Sequence, residues 1–253
     1  MHDRVYAMQC IKRGDSHFSV YSLHHSTLVS DCHLFESEET MFTFEGQDRR
    51  KEEERVRNEG RLPPGQSLTL KFPVLHYGPV PHFNPATWDF RVWGEVEEEK
   101  HWTWDEFNKL PRARIKMDIH CVTRWSKFDT VWEGVSLKAL VDNGLIKIKP
   151  TATHLMQHAE YGFTVNLPLE VALQDNFLLA THLNGEPITP DHGYPLRGVV
   201  GFIPGREDME TPYFWKGAKW LRSLEFMPRD RRGFWEQAGY HNRADVWREE
   251  RFG

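Results

Sequence analysis

The chain has 253 residues, a length that suffices for one large domain or two small ones and for a buried core. Hydrophobic residues make up 39% and charged residues 27%, which is the profile of a soluble globular protein. Lys and Arg number 32 against 37 Asp and Glu, and the net charge of -5 argues against a general nucleic-acid binder, which normally carries a basic face.

The cysteine pattern indicates a reducing compartment. Cys10, Cys32 and Cys121 form no Cys-x-x-Cys pair, so the sequence indicates neither a zinc knuckle nor a redox dithiol. No stretch approaches the ~20 apolar residues that a membrane span needs. The N-terminal residues also lack the apolar core of an export signal and a twin-arginine motif. We therefore expect a cytoplasmic protein without a membrane span.

The N-terminal quarter shows little pattern. Residues 1–45 have no clear periodicity, and the run "QDRRKEEERVRNEGR" from Gln47 to Arg61 mixes both charges, as a solvated helix or linker does. The prolines of the following "LPPGQ" end any helix. We place a domain boundary near Arg61, which gives a weakly ordered N-terminal arm with a charged linker over residues 1–60 and one domain over residues 61–253.

Short strand-like runs dominate the chain after Arg61. The runs from Ser67 to Leu75 and from Trp88 to Val96 alternate apolar and polar residues and are rich in strand formers. Later runs of the same kind span residues 177–188, 194–205 and 218–228. The first of these turns at Asn184-Gly185, a pair that favours a β-hairpin.

Three short helices are predicted between the strands. Thr103 and Glu106 have the spacing of a capping box at the start of the first helix. Ser136 caps the second, which ends at Gly144, and Pro168 begins the third. Because strands outnumber helices and no β–α–β alternation or internal repeat is present, the predicted fold class is α+β, mixed and largely β.

A lone cysteine closes one of the predicted strands. "IKMDIHC" ends at Cys121, and the positive charge of nearby Arg124 would favour its thiolate. A thiolate acts as a nucleophile or as a soft metal ligand, whereas a satisfied, semi-buried cysteine is the structural alternative. A cysteine nucleophile normally needs a histidine base close to it in the folded protein. Because the chain has 14 histidines, their presence does not indicate that such a pair exists. No HExxH and no zinc-spaced His/Cys pair marks a site with several protein ligands.

Three further segments have the residues of a binding pocket. In "PDHGYPLRGVV", His192 and Arg197 could converge on one anionic group, the alternative being an ordinary turn with solvated charges. In "GAKWL", a glycine allows close backbone approach and Lys219 supplies a point charge for a phosphate. In "LHYGPVP", His76 and Tyr77 lie on a tight turn after a strand. The residue chemistry by itself leaves these readings open.

Taken in order, the four segments resemble the sulfite-oxidase-fold molybdopterin oxidoreductases over residues 62–253. "DHGYPLR" followed by "AKWL" is the specific part of the match. The resemblance implies a largely β molybdopterin-binding domain with short helices, oxidoreductase activity and Mo-molybdopterin as the cofactor. It places Cys121 where the family has its only protein thiolate on molybdenum. The implied cofactor-binding residues are His76, Tyr77, His192, Arg197, Gly217, Ala218 and Lys219.

Two physical points agree with this resemblance. Molybdenum bound to a dithiolene needs one more soft ligand from the protein, which accounts for a solitary cysteine. A dianionic phosphate buried in a protein of net charge -5 needs local cations, and Arg197 and Lys219 can provide them.

The resemblance further implies two-electron chemistry, with oxygen-atom transfer on a small oxyanion or a sulfoxide-type substrate. Animal and plant sulfite oxidases carry an arginine where this chain has Leu75 and a tyrosine where "RDRRGF" has Arg231. We therefore predict that Arg124 and Arg231 contact the substrate, because they would restore positive charge near the metal. With no haem or flavin motif in the sequence, we expect a separate electron donor or acceptor.

Other classes of function stay open at this point. Cys121 could serve as the nucleophile of a hydrolase or transferase, or the chain could be a metal-free binding module on the same fold. The aromatic and charged segment 233–253 could cover the mouth of the pocket or complete the core.

Overall fold

The computed structural model describes the backbone of residues 37–253 and the side chains from Gly46 onward. Cys10, Cys32 and residues 1–36 of the predicted arm lie outside this part of the chain. No helix within the described residues is long and apolar enough to cross a lipid bilayer.

Eleven strands are present in the described part of the chain. They are β1 (Ser67–Leu68), β2 (Asp89–Gly94), β3 (Lys100–Thr103), β4 (Arg112–His120), β5 (Trp125–Ser136), β6 (His154–Ala159), β7 (Thr164–Pro168), β8 (Phe177–Leu183), β9 (Glu186–Pro187), β10 (Arg197–Val200) and β11 (Leu221–Met227). The α-helices are α1 (Ser37–Asn58), α2 (Trp104–Asn108), α3 (Leu137–Asp142), α4 (Leu169–Ala172) and α5 (Phe234–Gln237). Short 3-10 helices span Glu160–Gly162, Pro190–His192 and Phe214–Lys216.

The strands form two sheets. In the first, β1, β5, β8 and β10 are hydrogen-bonded neighbours in that order, while β4 also pairs with β5 and β9 with β8. The second has the order β3-β2-β11-β6-β7. Within the described strands, β1 with β5 and β2 with β11 are the parallel pairs, and the other pairs are antiparallel. An architecture of two β-sheets with a smaller number of helices confirms the predicted, largely β, α+β class.

The main core joins the two sheets. Fully buried side chains from the first sheet, such as Val135 and Phe177, belong to the same apolar cluster as Phe90 and Leu224 from the second. Burial of this apolar surface is the main favourable term that holds the sheets together. Loops at one end of this core carry the residues described in the next subsection.

Helix α1 packs against the first sheet. Its Glu53 carboxylate accepts a bond from Leu68 N (3.0 Å), and Arg49 donates to Leu68 O (3.3 Å). After the helix, Arg61 binds the buried Asp118 carboxylate of β4 through two bonds of 2.7 and 2.8 Å. The boundary near Arg61 stays a prediction.

Local capping signals in the sequence correspond to observed helix ends. Thr103 and Glu106 form the reciprocal capping box at α2, and the Ser136 hydroxyl accepts a hydrogen bond from Ala139 N at α3. The Asn184-Gly185 turn joins β8 to β9 with both residues at positive φ, as the hairpin prediction requires. These observations confirm the three predictions. The sequence could predict them because each feature depends on contacts between residues close in sequence.

One predicted strand is much shorter than expected. The run from Ser67 to Leu75 pairs with β5 only at Ser67 and Leu68, and Thr69 N makes one more backbone bond to Ser126 O. Pro73 has no N–H to donate to a ladder, so the pattern cannot continue as a paired strand. Phe72, Pro73 and Leu75 of this run line a cavity instead.

Candidate functional site

One cavity brings most of the predicted site residues together. It comprises about 700 Å³ of space not filled by protein atoms, including the solvent at its open mouth. The predicted residues that line it are His76, Tyr77, Cys121, His192, Arg197, Gly217 and Lys219. The rest of the lining is mainly apolar and aromatic: Phe72, Pro73, Leu75, Trp125, Phe163, Phe214, Trp215, Trp220 and Trp235.

Cys121 lies in the tight turn between β4 and β5. Its N–H donates to Trp125 O (2.8 Å), and Arg124 N donates back to Cys121 O (3.0 Å). Arg124 has the positive φ of 75° that closes this turn. The turn presents the Cys121 side chain, only 5% exposed, to the cavity.

The protonation of Cys121 differs from the sequence-based expectation. Burial raises the pKa of the thiol, which the Thr123 hydroxyl and the positive charges of Lys219 and Arg251 oppose. Arg124 was expected to favour the thiolate, but its side chain is exposed and directs Nη1 toward Gly65 O at 3.5 Å. Without a metal, desolvation therefore outweighs the nearby positive charge and favours the neutral thiol.

Arg197 is a buried cation at the cavity wall. The side chain is 1% exposed and donates to the backbone oxygens of His192 (2.8 Å), Gly198 (3.2 Å) and Gly217 (3.4 Å). Its guanidinium carbon also lies 4.2 Å from the centre of the Phe214 ring. Burial lowers its pKa to about 9. Within the described residues Arg197 forms no salt bridge with a carboxylate, so its position favours an anionic ligand.

Lys219 and His192 extend the positive region. Lys219 Nζ donates to Asp191 O (2.6 Å), and burial, with the adjacent charge of Arg197, lowers the lysine pKa to about 7. Burial and the same two cations lower the pKa of His192 to about 4, and its ring stacks on Phe72 at 3.9 Å. An anion bound here would relieve the repulsion among these groups.

Ala218 is the one predicted cofactor residue that does not line the cavity. It is fully buried, its N–H donates to Gln157 Oε1 (3.0 Å), and its carbonyl accepts from Gly198 N (2.8 Å). A Cβ added at Gly217 would lie 2.3 Å from Gly198 O. The "GA" pair therefore lets this segment approach the start of β10 closely, while Gly217 itself reaches the cavity.

His76 and Tyr77 form part of the cavity mouth. His76 Nδ1 lies 2.9 Å from Gly78 O, and its ring meets Trp220 edge-on at 5.1 Å. The Tyr77 ring is 4.6 Å from that of Phe234, and the residue is 54% exposed. Tyr77 thus marks the side on which the cavity opens to solvent.

The two predicted substrate arginines are not brought to the cavity. Arg231 forms a salt bridge with Glu225, and its side chain is 55% exposed. Arg124 is also exposed, and neither residue lines the cavity. The substrate contacts predicted for them therefore gain no support from this geometry.

Two residues that the sequence analysis missed hold the cysteine turn from behind. Gln66 Nε2 donates to Cys121 O (3.0 Å), and Arg251 Nη1 donates to Val122 O (2.6 Å). Both side chains are buried. No local motif could have indicated them, since the bonds span 55 and 129 residues of sequence. The C-terminal segment therefore supports the site as well as completing the core.

Comparison with known proteins identifies the family of this site. The model of the family "Oxidoreductase molybdopterin binding domain" matches residues 77–235. The uncharacterized oxidoreductase YuiH of Bacillus subtilis (strain 168) is 44% identical over 194 residues, which cover 76% of this chain and 92% of that protein.

More distant relatives are longer proteins. Nitrate reductase [NADH] 2 of Phaseolus vulgaris is 25% identical over 182 residues, which cover 60% of this chain but 19% of that enzyme. The sulfane dehydrogenase SoxCD from Paracoccus pantotrophus has a similar fold, with a TM-score of 0.51 and 20% identity over 61% of this chain and 42% of that one. Together with the family match, these relatives confirm the sequence-based resemblance. The chain is a molybdopterin-dependent oxidoreductase of the sulfite-oxidase fold, with molybdenum and molybdopterin as its cofactor.

Proposed function

We propose that Cys121 is the protein ligand of molybdenum and that the surrounding cavity holds the pterin. The observation that carries this assignment is the meeting of a buried thiol with two cationic side chains, the buried Arg197 and the half-buried Lys219, in one cavity. Within the described residues, no group of three or more His, Cys, Asp or Glu side chains could hold a metal by itself. The other proposed cofactor residues are His76, Tyr77, His192, Gly217 and Ala218.

The residues present fit the cofactor at both of its ends. Arg197 and Lys219 supply the positive charge that a buried phosphate requires, and among the described residues their side chains donate to backbone oxygens rather than to carboxylates. Trp125 and Trp215 line the cavity, and their indole N–H groups are buried and have no hydrogen-bond partner in the described residues. Such donors fit the ring nitrogen and oxygen acceptors of a pterin, because an unpaired buried N–H is costly. Ala218 would contribute through the backbone shape of its segment rather than by direct contact.

We further propose two-electron, oxygen-atom-transfer chemistry on a small oxyanion or a sulfoxide-type substrate. Bound molybdopterin supplies a metal that exchanges two electrons with such a substrate. The chain's own contribution is to hold the metal by one thiolate and to exclude water with an aromatic wall. The positive charges of Lys219 and Arg251 both act on Cys121 and would stabilise its thiolate form.

A separate electron donor or acceptor is part of this proposal. The longer relatives are named for different reactions, nitrate reduction and sulfane dehydrogenation, and the chain spans less than half of each. Their substrates and partners therefore do not transfer directly. The cytoplasmic location inferred from the sequence likewise stays a prediction.

Elemental analysis tests the proposed site. Protein purified from a host that loads a second molybdoenzyme should contain about one molybdenum and one pterin per chain. The metal is measured by mass spectrometry, and the pterin by fluorescence after its release and oxidation. Neither component in such a preparation would contradict the assignment and favour a cysteine nucleophile or a binding role.

A glycine in the "DHGYPLR" loop offers a matched test of cavity shape. Gly193 has a φ of 114°, and an added Cβ would lie 3.1 Å from Arg197 Cβ and 3.2 Å from Lys219 Cα. Gly193→Ala is therefore expected to strain the loop, displace both cations and lower the molybdopterin content severalfold. Gly144 has a φ of 71° with no atom within 4 Å of an added Cβ, so Gly144→Ala is the control.

Both alanine variants carry backbone strain of about 1 kcal/mol, seen as similar small losses in thermal stability. Only Gly193→Ala should lose cofactor. Equal cofactor contents in the two variants would show that the close packing around Gly193 does not shape the phosphate end of the cavity.

A further inference from the structure

A hydroxyl group lies against the sulfur of Cys121. Thr123 Oγ1 is 3.1 Å from Cys121 Sγ, within hydrogen-bonding distance for sulfur. In the free thiol either atom can donate the proton. A metal-bound thiolate has no proton, and the only hydrogen available to the pair is then that of the Thr123 hydroxyl. Metal binding would therefore fix Thr123 as the donor and Sγ as the acceptor.

The tight turn around Cys121 sets the position of this hydroxyl. Cys121 and Arg124 close the turn by a backbone hydrogen bond of 3.0 Å. Buried Gln66 and Arg251 bind the two carbonyls of residues 121 and 122 from behind. Thr123 adds a β-branched side chain, which is restricted in χ1. These backbone contacts fix the turn from which the Thr123 hydroxyl reaches the sulfur.

Burial makes this hydrogen bond consequential. Cys121 is largely removed from water, and hydrogen bonds are electrostatically stronger in such a low-dielectric setting. A donor to a ligating sulfur withdraws electron density from the metal–sulfur bond. Hydrogen bonds to ligating sulfur atoms are among the factors that set reduction potentials in copper and iron–sulfur centres. The same physics applies to a single thiolate on molybdenum.

We propose that Thr123 raises the reduction potential of the molybdenum centre by donating a hydrogen bond to the Cys121 sulfur. This inference rests on the proposed role of Cys121 as the metal ligand. Thr123 is a positioning and tuning residue that acts through Cys121, and it is not itself a ligand. By withdrawing electron density, its hydroxyl stabilises the reduced metal relative to the oxidised metal.

The experiment compares Thr123→Val with Thr123→Ser in the molybdenum-loaded protein. Valine has nearly the shape of threonine without the hydroxyl, whereas serine restores the donor. The midpoint potentials of the two one-electron molybdenum couples are measured by redox titration followed by electron paramagnetic resonance. We expect lower potentials in Thr123→Val and a return toward the wild-type values in Thr123→Ser. Thr151→Val is the control, since its hydroxyl binds Glu95 outside the cavity.

The outcomes separate this inference from the proposed function. Wild-type protein that holds no molybdenum overturns the proposed ligand role of Cys121 and this inference with it. Loaded Thr123→Val protein with unchanged potentials overturns the tuning role alone. If Thr123→Val does not load the metal, a crystal structure of the wild-type holoenzyme decides: a Thr123 hydroxyl directed at the sulfur supports the inference, and one rotated away from it overturns the inference.

Discussion

Replacing Cys121 with serine is expected to lower molybdenum-dependent turnover by more than about 100-fold, because loss of a ligand should exceed the 10- to 100-fold cost of losing an outer-shell partner. A serine hydroxyl is a harder and much less acidic donor than a thiol and is a poor substitute on a soft site. Cys121 is small and lies on the cavity wall, so the fold should persist. Turnover is measured with artificial electron carriers, alongside molybdenum content and circular dichroism.

Two other cysteines serve as controls for this variant. Cys10 and Cys32 lie outside the residues that match the family model, so Cys10→Ser and Cys32→Ser should keep wild-type turnover. Alkylation adds an independent comparison, because a metal-bound Cys121 thiolate should react more slowly in the loaded protein than in metal-free protein. Full turnover by the Cys121→Ser protein would remove the metal-ligand assignment.

Replacing Lys216 with methionine is expected to cost about 3–5 kcal/mol of unfolding free energy, because it leaves a buried carboxylate without its cation. Lys216 and Glu236 are both 0% exposed and form an ion pair of 2.6 Å. The lysine also donates to Asn166 Oδ1 (2.9 Å) and Asn242 O (2.7 Å), so its three N–H donors are all satisfied. This single group ties the segment before β11 to β7, α5 and the C-terminal loop.

The same ion pair holds two walls of the cavity. Lys216 follows Trp215 and precedes Gly217, and Glu236 follows Trp235, and all three neighbours line the cavity. Cofactor content should therefore fall together with stability in Lys216→Met. At this chain length the expected loss corresponds to a drop of about 10 °C in the unfolding temperature.

A second substitution distinguishes charge burial from loss of packing. Lys216→Met combined with Glu236→Gln removes both charges and should recover a large part of the lost stability. Lys147→Met breaks an exposed pair with Glu97 and should change the unfolding temperature by no more than about 1 °C. A double variant no more stable than Lys216→Met would show that the uncompensated charge is not the cause of the loss.

The sequence predicted the features that depend on neighbouring residues. The capping box at Thr103, the cap at Ser136 and the hairpin at Asn184-Gly185 each follow from a few consecutive residues, and all are present. The fold class followed from the pattern of strands and helices, and the oxidoreductase class and the molybdopterin cofactor followed from the family resemblance of the four segments; all three are confirmed. Cys121 and Arg197, which belong to two of those segments, line the same cavity.

Only the tertiary structure decided which cations surround the cysteine turn. Arg124 is three residues from Cys121 in sequence but its side chain lies outside the cavity, whereas Arg251 is held against the turn from the C-terminal end of the chain. The protonation of Cys121 was likewise decided by burial, which a sequence pattern does not measure. Local patterns encode caps, turns and strand ends because those contacts involve neighbours in sequence. Side-chain direction, desolvation and contacts across 129 residues arise only when the two sheets and the C-terminal segment pack together.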